Sequence, residues 1–69
     1  MKLRAYVNFL HPTQRVIVKD AYRYLFMGSA MACKAEKSLW DREVLATKNL
    51  GDEIEISLRV RARRGIVNG

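Results

Sequence analysis

The sequence predicts a small α+β domain in the order α-β-β-α-β-β, two hairpins forming an antiparallel or mixed sheet with two short helices. Three observations predict it. An amphipathic helical stripe opens the chain, a strict polar/apolar alternation occupies its C-terminal third, and Gly, Pro, Asn and Asp punctuate the apolar runs between them. At 69 residues the chain is one domain at most. Residues 1–62 are read as that domain and 63–69 as a basic tail free to be flexible.

Leu3, Tyr6, Val7 and Leu10 recur at i, i+3, i+4 and i+7, one face of a helix, with Lys2, Arg4 and Asn8 on the other. The His11-Pro12 pair closes this helix, because a residue before proline avoids helical angles. The run Arg15 to Asp20 is short and β-branched and reads as a strand, with Asp20-Ala21 as a tight turn. Tyr22 to Met27 alternates, with Tyr22, Tyr24 and Phe26 on one face and Arg23, Leu25 and Met27 on the other. Both faces carry apolar residues, which predicts a central strand or one covered by a partner. Gly28 stops the strand, Ser29 is an N-cap, and helix formers run from about Ala30 to Ser38. Glu43 to Asn49 is a third strand, residues 49–52 a turn, and Glu53 to Val60 the fourth strand. Its alternation turns Ile54, Ile56, Leu58 and Val60 inward and Glu53, Glu55, Ser57 and Arg59 outward.

The pattern resembles small phage and prophage proteins of Gram-positive bacteria. Pro12, Val16, Val18 and Asp20 match their Pro-x-x-x-Val-x-Val-x-Asp strand, and Gly28 their Gly-ended second strand. Leu39 to Val44 is similar to their Leu-Leu-Asp-Arg-Glu-Val segment, and Ile54 to Leu58 to their alternating last strand. Small phage proteins of this size include some that counter host defence by blocking a nuclease or sequestering a nucleotide signal. The resemblance implies such a role, in the host cytoplasm, without naming a target.

Net charge and residue counts narrow the chemistry. A formal charge of +6 favours anionic partners, a nucleotide or other anionic small molecule, nucleic acid, or an acidic protein. One cysteine allows no internal disulfide, and with one histidine there is no His/Cys zinc cluster. A core this small, unstapled, predicts self-association as a homodimer or larger. The free cysteine fits a reducing, cytoplasmic setting. No apolar run reaches the ~18 residues that span a membrane. The segment MKLRAYVNFL has no continuous apolar stretch and no small-residue cleavage site, so no signal peptide is expected.

An enzyme needs a nucleophile with a base, a carboxylate pair or a metal. Cys33 sits among Met31, Ala32 and Ala35 and reads as a small buried hydrophobe. His11 ends a helix, where its charge favours the dipole. Asp41 and Glu43 are explained by pairs with Arg42 or nearby lysines, and Glu53 and Glu55 by Arg59 and Arg61. There is no Gly-rich phosphate loop, so neither catalysis nor a cofactor is expected. The candidate ligand-binding residues are Arg59, Arg61, Arg63 and Arg64, with Tyr22 and Tyr24. Arg59, Arg61 and Arg63 share one face if the strand runs that far, spaced about 6–7 Å apart, which suits successive phosphates. The competing reading makes the arginines a solvated fringe and packs the tyrosines in the core or a subunit interface. A non-enzymatic anti-defence protein that sequesters an anionic nucleotide is the leading expectation. Nucleic-acid binding, inhibition of a host nucleic-acid enzyme, and a phage assembly role are the alternatives.

Overall fold

Val16 and Val18 point to one side of the strand β1 (Arg15–Lys19), and both are fully buried. That side of the sheet is the core. In the computed structural model, which describes residues 1–60, β1 runs antiparallel to β2 (Tyr24–Ser29) and parallel to β4 (Glu53–Leu58). β4 in turn pairs antiparallel with β3 (Val44–Asn49). The described strands therefore form a mixed four-stranded sheet in the order β2-β1-β4-β3. Each hairpin contributes one inner and one outer strand, and the two hairpins join at the parallel β1–β4 pair. Val16 lies opposite Ile54 and Val18 opposite Ile56, so the inward rows of the two central strands are in register.

Two short helices cover the core face. Helix α1 (Leu3–Asn8) buries Leu3 and Val7, and α2 (Ala30–Lys34) buries Ala30 and Cys33. A 3₁₀ turn, Lys37–Leu39, adds Leu39. With Ile56 and Leu58 from β4 these close a core that Tyr6, Leu10, Phe26 and Val44 flank. Burial pushes the Cys33 thiol up to about 11, so it packs as a small apolar group.

The element order and fold class agree with the sequence, but several boundaries and faces differ. The first helix stops at Asn8, because Phe9 and Leu10 donate to carbonyls three residues back and tighten the last turn. His11 does not cap it. Its Nδ1 lies 2.9 Å from the Thr13 hydroxyl and accepts the Thr13 N–H, folding the Pro12 loop instead. Ser29 caps α2 as expected, its hydroxyl accepting the Ala32 N–H at 3.1 Å. That helix ends at Lys34 and not near Ser38. The Trp40 indole N–H donates to the Lys34 carbonyl at 2.7 Å, taking one of the carbonyls a longer helix would use.

Among the described strands β2 lies at an edge of the sheet and not in its centre. It starts at Tyr24, because the Asp20 carboxylate holds the Tyr22 and Arg23 amides in a turn. A bulge follows. Val18 pairs with Phe26 but Lys19 pairs with Tyr24, leaving Leu25 as the extra residue. The bulge breaks the expected row of Tyr22, Tyr24 and Phe26. Phe26 stays on the core side opposite Val18, while Tyr24 moves to the side of Lys19 and is 62% exposed. Gly28 lies opposite Val16, and a Cβ there would sit 3.1 Å from the Phe26 ring, which lies across the glycine.

Candidate ligand-binding site

β1 and β4 are parallel, so their carboxyl ends lie side by side. The chain leaves β1 into the Asp20–Arg23 turn and leaves β4 through Arg59 and Val60. Between these exits is an open groove of about 310 Å³ lined by Lys19, Asp20, Ala21, Leu45, Ser57, Leu58 and Val60. The size is at the small end for a ligand pocket, and the wall is mostly apolar. Leu45 reaches the groove from a bulge in β3, where Val44 pairs with Leu58 but Ala46 pairs with Ser57.

A buried charge cluster fixes this end. The Asp20 Oδ1 accepts the Tyr22 amide at 2.8 Å and the Arg23 amide at 3.1 Å. Its Oδ2 meets Arg42 Nη2 at 3.5 Å, and both side chains are close to nine-tenths buried. The same Nη2 donates to the Arg59 carbonyl at 3.2 Å. Arg42 thus ties the β1–β2 turn to the exit of β4, and its Nε finds no acceptor among the described residues. The Tyr22 amide foremost, then the Arg23 amide and Arg42, hold the Asp20 carboxyl below its ordinary value, against the opposing effect of desolvation. Arg59 is held from its other side, where its N–H donates to the Glu43 carbonyl at 2.8 Å. Glu43 pairs through its side chain with the Met1 ammonium at 2.7 Å, which holds its carboxyl low.

The expected residues fall as follows. Tyr22 and Tyr24 are 80% and 62% exposed, so they do not pack in the core. Tyr22 directly follows Ala21, a wall of the groove. β4 ends at Leu58, so Arg59 does not continue the outward row of Glu53, Glu55 and Ser57, and Val60 does not enter the core. Strand pairing with β1 and β3 stops at that residue, and the Arg59 backbone turns to Glu43 and Arg42 instead. Arg59 is exposed, and in sequence it lies between Leu58 and Val60 of the groove lining. Arg61, Arg63 and Arg64 lie outside the described residues. Among the described residues Glu53 and Glu55 pair with Arg15 and Lys19 at 3.5 Å, and not with Arg59. Arg42 pairs with Asp20, and not with Asp41 or Glu43.

Sequence reasoning missed Lys19, Asp20, Arg42 and Ser57. Asp20 carried a signal, since an Asp two residues before an aromatic at a strand end is an Asx-turn opener. Arg42 carried none, because its partners Asp20 and Arg59 are 22 and 17 residues away along the chain.

Among the described residues no cluster of three His, Cys, Asp or Glu side chains is placed to hold a metal ion, and no helix is long and apolar enough to cross a membrane. Comparison with protein-family models, with curated proteins and with solved structures finds no match.

Proposed function

We propose that this chain acts by binding and not by catalysis, and that it takes an anionic nucleotide in the groove at the carboxyl ends of β1 and β4. The observation that carries this reading is one groove that combines an apolar wall with Lys19 in its lining, where the carboxylate of Asp20 is already paired with Arg42. Leu45 and Val60 offer an apolar surface for a flat ring, and Ser57 and Lys19, the latter also paired with Glu55, offer donors. The exposed Arg59 falls in sequence between Leu58 and Val60 of the groove lining, and Tyr22 follows Ala21 of that lining. The sequence continues from Val60 into Arg61, Arg63 and Arg64, which would add guanidinium donors for phosphate. The resemblance to small phage proteins supports sequestration of a nucleotide signal in a host cytoplasm as the biological use.

An extended nucleic-acid track is less well supported. Along the open sheet face Arg15 and Lys19 alternate with Glu53 and Glu55, so that face carries both signs of charge and no continuous basic strip. Calorimetry with linear and cyclic nucleotides, alongside DNA and RNA oligonucleotides, separates the two. Saturable nucleotide binding that weakens in Lys19→Ala is the expected result. Oligonucleotide binding that falls steeply with salt, with no nucleotide binding, would replace it with the nucleic-acid reading.

A further inference from the structure

The two outer strands differ in how they meet solvent. The edge of β3 is blunted in three ways. Lys2 bridges to Glu43 at its start, a bulge at Leu45 twists it, and Lys48 adds a charge. The edge of β2 has a bulge at Leu25, but from Tyr24 to Ser29 it carries no charged residue and no proline. Two of its side chains, Tyr24 and Met27, are large, apolar and mostly exposed, and so is Met31 in the helix that follows. An uncharged open edge is a template for another strand.

We infer that β2 is a dimerisation edge, on which a second copy of this chain adds its own β2 antiparallel about a two-fold axis to make one continuous eight-stranded sheet. The register follows from the ladder. The Ala30 N–H donates to the Gln14 carbonyl, so alternation makes Val16–Gly28 and Val18–Phe26 the bonded pairs of the β1–β2 hairpin. Met27 therefore turns its N–H and C=O outward, and a two-fold pairing centred on Met27 lets each copy satisfy the other. In that register Gly28 faces the partner's Phe26. The bulge at Leu25 ends this regular register, so Tyr24 lies beyond it. The exposed Met27 side chain then packs against its twin across the axis, at the seam between the two copies. A second copy fits this edge better than a charged partner strand does, because an uncharged strand pairs with itself without setting like charges opposite one another. The seam is separate from the groove, so the pairing stands whether or not a nucleotide binds.

The test uses the full chain and three variants. Sedimentation or light scattering at micromolar concentration should give a mass of two chains for the parent. Met27→Lys sets two ammoniums against each other across the axis at an exposed site. It should raise the dissociation constant on the order of a hundredfold while leaving the circular dichroism spectrum unchanged. Lys48→Glu on the other edge should stay dimeric. Met27→Cys should cross-link into a dimer under mild oxidation, since directly bonded antiparallel residues have Cα atoms about 5.5 Å apart, within disulfide reach. The native Cys33 is buried and should not compete. A monomeric parent overturns the proposal. So does a dimer that survives Met27→Lys or that fails to cross-link through position 27, which would assign the contact to another surface.

Discussion

The chain makes two tight turns at opposite ends of its sheet, and each is built on an Asx side chain. At one end Asp20 accepts the amides of Tyr22 and Arg23. At the other Asn49 accepts the amide of Gly51 at 2.8 Å. Locally they are the same device, a short polar side chain standing in for a backbone acceptor. Beyond that they part. Asn49 is exposed, and among the described residues its side chain bonds no further than Gly51. Asp20 is mostly buried and carries on to Arg42, which carries on to Arg59. The Asn49 turn is a hairpin connection and nothing more. The Asp20 turn is a corner in which one carboxylate fixes a turn, a strand exit and one wall of the groove. Similar local chemistry becomes a site only where a long-range partner joins it.

The largest effect should come from beneath both turns. Ile56 is fully buried and lies opposite Val18 in one hairpin and Thr47 in the other. Ile56→Ala should cost about 2–5 kcal/mol in urea unfolding, most of what a domain of this size has. A single cooperative transition is expected in the parent. Two separable transitions would show that the hairpins unfold independently and that the two turns belong to different stability units.

The next effect distinguishes the turns directly. Asp20→Ala removes the oxygen that accepts two amides and strands the Arg42 guanidinium, whereas Asn49→Ala removes one exposed acceptor worth about 1 kcal/mol. The melting temperature should fall further for Asp20→Ala. The pair also separates by pH. Asp20 titrates below its ordinary 3.8 in the folded chain, so its stabilisation is complete above that value and is lost as pH falls through the folded one. Glu43 contributes in the same sense. Acid unfolding of Asp20→Asn should therefore depend less on pH than that of the parent, and Asn49→Ala should leave the slope unchanged. Equal melting temperatures for the two Ala variants would remove the distinction.

Both turns were legible as turns, since Asp20-Ala21 and Asn49 to Asp52 carry the residues turns require. The alternation of Glu53 to Leu58 and the Ser29 cap were legible for the same reason, because each depends on near neighbours in sequence. Three things were not. The bulge at Leu25 is imposed by how Asp20 gathers the two amides after it, and it reassigned Tyr24 to the other face. The edge position of β2 follows from β1 pairing with β4, a contact 38 residues apart that no local pattern encodes. The stop of β4 at Leu58 reflects the Glu43 and Arg42 groups that take over the Arg59 backbone. In each case a distant partner overrode an alternation that would otherwise have run on.

A smaller effect belongs to the outer turn alone. Gly51 has φ +98°, where a side chain is strained, and a Cβ there would meet nothing within 4 Å. Gly51→Ala should cost about 1 kcal/mol through the backbone alone, measured by thermal unfolding, and should leave ligand binding untouched. A loss of binding would mean that the outer turn communicates with the groove.

The smallest effect on stability should be at Arg59. Its contacts to the corner run through the backbone, with its carbonyl accepting from Arg42 and its amide donating to Glu43. Truncating the exposed side chain keeps both, so Arg59→Ala should change stability by less than about 0.5 kcal/mol. Binding should respond differently. If the guanidinium meets a phosphate, its loss should weaken nucleotide affinity roughly tenfold to a hundredfold, and Lys should restore only part, because an ammonium lacks the planar fork. Melting temperature and calorimetric affinity of Arg59→Ala and Arg59→Lys, measured side by side, check this. A fall in melting temperature comparable to that of Asp20→Ala would make the Arg59 side chain a fourth member of the corner. Unchanged affinity in both variants would confine phosphate recognition to Lys19 and the arginines that follow Val60.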